Sequence, residues 1–328
     1  MNRKNNFVFV QHLSVIRKAL YLFAVYFLFA NDVYSQCCSP GNPIGGTANV
    51  GTVKKGTLRS STFFRHSIAD TYYDKNRKAE VQGTDANFNY LGQTLAYGIT
   101  PRLTIETEFG YFINKTRTSE ITTPEKASGL SNGLASVKYS LWKDNLREWE
   151  LTIGSGLRFP FSRTLKNSPA GYPLSMDVQP STGAAGYIAH LFLYKGFLPK
   201  GWRFFLVNRF EVNGKNDIGY QYGKANNTSF FISHSLNLHW MAILQLRNEW
   251  RDYDHWDEIL LANTGGNVLY ISPQINLNIR QKWNISILWE TPIVRNYHLN
   301  QLGSKYAFAI NILRDFDLHK KVEVILNK

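Results

Sequence analysis

From residue 57 onward, apolar and polar side chains exchange places at every second position, in one segment after another. A repeat of two is the signature of a strand, because successive side chains of an extended chain point to opposite faces. Trp149, Leu151, Ile153, Leu157, Phe159 and Phe161 alternate with Glu150, Thr152, Gly154, Gly156, Arg158 and Pro160. Trp202, Phe204, Leu206, Phe210 and Val212 alternate with Arg203, Phe205, Val207, Arg209 and Glu211. Leu269 to Ile279 and Trp283 to Trp289 repeat the pattern. Each segment has one apolar face and one mostly polar face, so the chain is all-β.

A water-soluble sandwich alternates too, and three further features separate it from a membrane barrel. The apolar faces begin or end in Trp, Tyr or Phe, as an interfacial girdle requires. The opposite faces carry Arg, Glu, Asn and small residues, which suits a wet lumen. The connections alternate in length. Short ones fall near 100–101, 143–147, 196–201, 237–241 and 280–282; longer ones cover about 70–86, 114–128, 162–180, 213–228, 252–266 and 292–303. Five turns interleaved with six loops give an antiparallel up-and-down β-barrel of twelve strands with both ends on the turn side, the layout of an outer-membrane barrel. In hydrocarbon, closure is compulsory, because each unpaired amide of an open edge costs several kcal/mol.

Helical passage is excluded. Beyond Ala30 no uninterrupted apolar run exceeds that of Trp240–Leu244 or Tyr306–Ile310, whereas a spanning helix needs about twenty residues. Upstream, Arg3, Lys4, Arg17 and Lys18 precede the apolar run Ala19–Ala30, and Val33-Tyr34-Ser35 has the small-residue pattern of a signal-peptidase site. Residues 1–35 are therefore expected to be a signal peptide cleaved before Gln36. The run is short for an anchor helix, and Gln36 and Tyr34 fit a lipobox at Cys37 poorly. Residues 36–56 read as a Gly/Pro-rich periplasmic lead-in, 57–316 as the barrel and 317–328 as a C-terminal tail. The expected location is the bacterial outer membrane.

The chain carries 37 basic and 24 acidic residues, a net charge of +13. Basicity of this size raises nucleic acid as a partner, but the bases are scattered singly among apolar residues and form no binding module. They suit a wet surface that meets anions. By strand parity the lumen candidates are Arg158, Arg203, Arg209, Glu211, Arg247, Glu249, Arg251 and Arg280. Arg59, Arg65, Arg102, Lys138, Lys305, Glu106, Glu108, Glu150 and Glu290 share that face, leaving an inward excess of bases. Rings of Arg and Lys favour anions; the same residues, paired, would instead be staples filling a narrow lumen.

No other chemistry stands out. A hydrolase needs His within reach of Ser, yet His66-Ser67 and His234-Ser235 are adjacent, and adjacent strand residues face opposite ways. Asp252, Asp254, His255, Asp257 and Glu258 crowd one loop without the spacing of a calcium site. Cys37 and Cys38 can form a vicinal disulfide, hold a soft metal or pair between chains. Two ligands from one dipeptide make them weak metal candidates. No catalytic residue and no cofactor is expected.

Several turns carry a family likeness. Tyr97–Ile105 follows a Y-G-x-T-x-R-L-x-V hairpin; Gly129–Tyr139 is similar to a G-x-G-D-x-x-x-x-x-K-Y segment; Pro292-Ile293-Val294, with Gln301-Leu302-Gly303 and Tyr306, is similar to a closing P-x-Y-R-x-x-x-G-x-Q-L-G-x-x-Y hairpin. Together they resemble the outer-membrane barrels named as transporters of the meta-pathway of phenol degradation, over about residues 57–316. Asn132 departs from that pattern's acidic turn residue, and the Cys37-Cys38 leader lies outside it. The resemblance implies a barrel for small solutes, with outer-membrane lipids and the barrel-assembly machinery as partners. The competing class is a non-conducting barrel serving as a structural or surface-binding platform.

Overall fold

The computed structural model describes residues 51–79, 84–118, 124–197, 200–279 and 283–318. Residues 1–35, expected to be a signal peptide, together with Cys37, Cys38, Arg280 and residues 319–328, lie outside the described residues. Twelve antiparallel strands form the wall: β1 (Thr57–Asp74), β2 (Asp85–Gly98), β3 (Leu103–Thr118), β4 (Glu125–Leu130 continued by Asn132–Asp144), β5 (Trp149–Pro160), β6 (Gly186–Phe197), β7 (Trp202–Asn213), β8 (Ala225–Ser235), β9 (Trp240–Arg251), β10 (Gly266–Ile279), β11 (Trp283–Tyr297) and β12 (Gln301–Asp317). Each pairs with its neighbours in sequence, and β1 pairs with β12 from Thr57↔Asp317 to Tyr73↔Gln301, closing the ring.

The alternation fixes which face meets lipid. Four strands begin at the turn side with an outward Trp: Trp149, Trp202, Trp240 and Trp283. Lys195 lies over the Trp149 ring and Arg314 over Trp283, cations at the level where lipid gives way to water. Toward the other rim the outward aromatics are Tyr111, Phe159, Phe210 and Trp289. From Trp149 to Phe159 along a tilted strand is about 25 Å, the height of a barrel's apolar band. Ile153, Leu157, Leu244, Leu246 and Ile287 fill the interval and stay exposed. The inward face is buried without a conventional core: Thr104, Thr152, Ser229 and Ser272 are almost wholly enclosed.

The strands run further than the alternation predicts on the loop side. The span 292–303, read as a long connection, is strand to Tyr297 and again from Gln301, while β3 continues to Thr118. Above the band both faces turn polar, so hydrophobic alternation fades while the ladder hydrogen bonds continue. Bulges also break the parity, at Leu141 and Ile293 and at two further places. Asn89 pairs with Asn114 and Tyr90 with Phe112, which leaves Ile113 as the extra residue and turns Lys115 inward. Asp70 and Lys305 are extra residues on β1 and β12; Lys305 therefore points out of the lumen, where its Nζ lies 2.5 Å from Asp70. Arg102 is exposed in the turn between β2 and β3.

Both mouths are partly filled by chain. At the turn side, Thr52 donates its N–H and its hydroxyl to Glu150 Oε1 at 2.7 and 2.8 Å, and Val53 donates its N–H to Thr104 Oγ1 at 2.9 Å. Two glycines permit this. A Cβ on Gly51 would sit 2.3 Å from Glu150 Oε1, and one on Gly98 would sit 2.2 Å from the Lys54 carbonyl oxygen. At the loop side, the connection between β5 and β6 (residues 161–185) folds inward, burying Leu174 and Val178 against Ala127.

Candidate functional site

The lumen is where the chemistry-bearing side chains converge, and three layers follow one another along it. Nearest the turn side is a cavity of about 360 Å³ lined by Arg59, Glu150, Phe192, Tyr194, Arg203, Phe205, Met241, Ile243, Asn276, Asn284 and Leu313, with Gly51 and Thr52 at its edge. Arg59 is held by Asp315 at 2.7 Å through two nitrogens. Glu150 is offset by Lys143 at 3.2 Å. Arg203 donates to the Met241 sulfur at 3.3 Å.

Midway lies a belt of buried ion pairs. Lys138 meets Glu106 at 2.8 Å. Arg209 reaches Glu108 at 3.0 Å and Glu211 at 2.7 Å, and Glu211 also holds Arg158 at 2.9 Å. Arg158 further donates to Asn213. On the opposite strands Arg247 pairs with Glu249 at 2.6 Å and with Glu290 at 2.8 Å, while Arg65 meets Glu290 at 2.5 Å. The Arg247 guanidinium also stacks over Tyr270, 4.1 Å from the ring centroid. Arg209–Glu211 and Arg247–Glu249 sit two apart on one strand and Lys138–Glu106 on adjacent strands, so the pleat turns each pair to the same face. The remaining pairs skip a strand or, for Arg209 with Glu108, span the lumen from β7 to β3.

Above the belt is a smaller cavity of about 70 Å³, lined by Lys115, Asn132, Arg158, Gln179, Glu211, Tyr222, Glu249 and Arg251 among others. The inward loop forms its roof. Asn132 Oδ1 accepts from the Ser181 hydroxyl at 2.9 Å and from the Thr182 N–H and hydroxyl at 3.1 Å. Lys115 donates to the Gln179 carbonyl at 2.8 Å, and Tyr222 donates to that of Met176 at 2.9 Å. Gln179 braces the loop from within, accepting from Lys166 N–H and donating to the Lys166 and Leu174 carbonyls. Arg251 lies 3.9 Å from Asp254 and over the Tyr222 ring. Asp254 belongs to a small three-stranded sheet in the loops and accepts from the Tyr220 hydroxyl at 2.5 Å and the Gly223 N–H at 2.7 Å. Burial, with the Asp254 carboxylate beside it, holds the Tyr220 phenol well above its ordinary pKa, so the proton stays on the donor.

The lumen candidates thus fall into two groups. Arg158, Arg209, Glu211, Arg247 and Glu249 form the belt; Arg203 and Arg251 face the two cavities. The lining also includes groups that parity leaves out. Lys115 falls in the span 114–128 expected to be a loop; β3 continues through it, and the bulge at Ile113 turns it inward. Asp315, Asp177 and Asp254 add carboxylates, and with Arg102 and Lys305 outside, the positive excess narrows. Among the described residues Lys115, Arg203 and Arg295 are inward cations with no carboxylate in ion-pair reach; Lys115 bonds the Gln179 carbonyl, Arg203 the Met241 sulfur and the Tyr194 hydroxyl, and Arg295 the Ser304 carbonyl.

No family model matches the sequence, and no curated protein matches it. Solved structures do. An outer membrane channel from Pseudomonas putida F1 superposes with a TM-score of 0.68 at 12% identity, over 83% of this chain and 99% of that one. The β domain of the Bordetella autotransporter BrkA gives 0.48 at 13% identity, over 80% and 100% of the two chains. The NanC porin gives 0.44 at 10%, over 78% and 98%. The first of these likenesses, joined to the closed ring and its girdled apolar band, establishes the fold: this chain is a twelve-stranded outer-membrane β-barrel.

Proposed function

We propose that the barrel passes small solutes across the outer membrane by diffusion and favours anions. One observation carries the preference: each of the two cavities faces a basic side chain with no carboxylate in ion-pair reach, Arg203 at the turn side and Lys115 beneath the loop. In the belt between them the bases are matched by Glu106, Glu108, Glu211, Glu249 and Glu290, so the residual field along the lumen is positive. The belt and the inward loop keep the path narrow, which makes this a selective passage rather than a general porin. The reading extends to the rest of the chain: residues 1–35 as a signal peptide, 36–56 as the periplasmic lead-in, 57–316 as the barrel inserted by the assembly machinery, and 317–328 as a tail. It keeps the kinship suggested by the turn motifs, that of the transporter barrels of the meta-pathway of phenol degradation.

Swelling of vesicles carrying the purified barrel tests the reading. Sodium salts of small anions should enter, given a sodium ionophore, faster than chlorides of cations of equal size given a chloride carrier. Lys115→Gln with Arg203→Gln should erase the difference. Equal rates for both salt series in the wild type would contradict the anion preference, and no swelling above empty vesicles would support the non-conducting platform.

A further inference from the structure

The turn-side cavity has the composition of a binding site rather than of a bare water channel. One wall is apolar: Phe192, Phe205, Met241, Ile243 and Leu313. Phe205 stacks on Tyr194 with ring centroids 5.2 Å apart and meets Phe231 edge-on at 6.4 Å, so this wall is packed and preformed. Phe192 and Ile243 belong to the same buried cluster. A lumen that only conducts ions gains nothing from such a wall, whereas small-molecule sites combine an apolar lining with a few placed polar groups.

The polar groups count to one charge. Arg59 is neutralised by Asp315 and Glu150 by Lys143, and the Tyr194 hydroxyl is committed to Glu148 at 2.6 Å. Arg203 remains, with no carboxylate in ion-pair reach and with the Met241 sulfur and the Tyr194 hydroxyl as its hydrogen-bond partners. A guanidinium offers five donors, and a thioether is a weak acceptor for any of them. A second group points the same way. Asn276 lines the cavity, is 3% exposed, and its Oδ1 has no hydrogen-bond partner. A buried amide oxygen without a donor is costly, and a ligand that donates to it relieves that cost.

The geometry points to a monocarboxylate with a compact apolar body as the occupant of this cavity, the carboxylate on Arg203 and the body against Phe205, Phe192 and Ile243. Asn276, whose amide can present either its oxygen or its nitrogen, serves a hydroxyl or a carboxylate oxygen of the ligand. An apolar cavity of about 150 Å³ holds benzene, so this one has room for an acid of roughly ten non-hydrogen atoms. A dianion would leave one charge without a partner, and an apolar solute without an acceptor would leave Arg203 unsatisfied. The inference rests on the channel reading for its meaning, since it names the class of solute that pauses in the path.

Calorimetric titration of the full barrel in lipid nanodiscs tests it, with empty discs subtracted. The probes are cyclohexanecarboxylate, acetate and cyclohexylmethylammonium. Cyclohexanecarboxylate should bind at least tenfold more tightly than either of the others. Arg203→Gln should weaken it at least tenfold, Arg203→Lys less, and Phe205→Ala should weaken cyclohexanecarboxylate while leaving acetate unchanged. Heat-dependent gel mobility verifies that each variant is folded, and Phe205→Ala carries the test if Arg203→Gln is not. Equal binding of the ammonium probe, or unchanged affinity in a folded Arg203→Gln barrel, would overturn the inference. Planar-bilayer current separates the two readings: current without binding removes the site alone, and binding without current keeps the site but removes passage.

Discussion

Glu290 is the residue on which the belt depends most. Its carboxylate is 2% exposed and receives four donors: Arg65 Nη2 at 2.5 Å and Arg247 Nη2 at 2.8 Å on Oε1, with Arg247 Nε at 3.0 Å and Ser272 Oγ at 3.2 Å on Oε2. Glu290→Gln keeps the shape but removes the charge, and it turns an N–H₂ group toward the guanidiniums. Two buried cations then lose a shared partner, although Arg247 keeps Glu249. Breaking a buried pair costs about 3–5 kcal/mol. Arg65 retains some contact with lumen water, its side chain being 12% exposed, so the low end, about 3 kcal/mol, is expected. Equilibrium urea unfolding of the barrel in lipid vesicles, followed by gel mobility and tryptophan fluorescence, measures it. Adding Arg65→Gln should recover part of the loss, because Arg65 has Glu290 as its carboxylate and is the cation left stranded, and coupling between contacting residues runs to about 1–3 kcal/mol. A folded Glu290→Gln barrel within about 0.5 kcal/mol of wild type, the range of an unremarkable surface change, would refute the view that the belt is a stabilising network.

Three further outcomes are expected. Ile285→Arg, on the lipid face of β11, should destabilise the barrel by about 2–4 kcal/mol, while Asn284→Arg on the lumen face should cost much less; similar losses in the same unfolding assay would mean that the facing is wrong. Asn132→Ala removes the acceptor for three hydrogen bonds that hold the inward loop, each worth about 0.5–1.5 kcal/mol, and should raise single-channel conductance without loss of folded barrel. Glu150→Gln weakens the anchorage of Thr52, so protease digestion in the region of residues 51–56 should become faster than in wild type.

How much of this was legible from the residues depends on what each layer is made of. The lipid face was fully legible, because Trp149, Leu151, Ile153, Leu157 and Phe159 must all meet hydrocarbon and nothing else satisfies them. The parity that places these outward also turns Arg158, Arg209 and Glu211 to the other face. It fails at the bulges. Ile113 and the Asp70/Lys305 pair each insert one residue, and no Gly or Pro marks either place, so Lys305 leaves the inward face and Lys115, in a span expected to be loop, joins it unannounced. The loop over the lumen was not legible for a different reason. Its docking depends on Asn132, Gln179 and backbone carbonyls, polar groups that look the same in a sequence whether they bond protein or water. The departure of Asn132 from the turn pattern of the barrels this chain resembles was visible; that its oxygen latches residues 181 and 182 was not. Gly51 and Gly98 likewise gain their meaning only once the lead-in is seen lying against Glu150 and β2.

The account's central claim is that a continuous, positively biased path runs through this barrel, past Lys115, the ion-pair belt and Arg203. Single-channel recording of the wild-type protein in a planar bilayer under a salt gradient tests it most directly. The expected result is a small unitary conductance whose reversal potential shows anions carrying more current than cations. A reversal potential of the opposite sign, or a correctly inserted barrel with no unitary current, would contradict it.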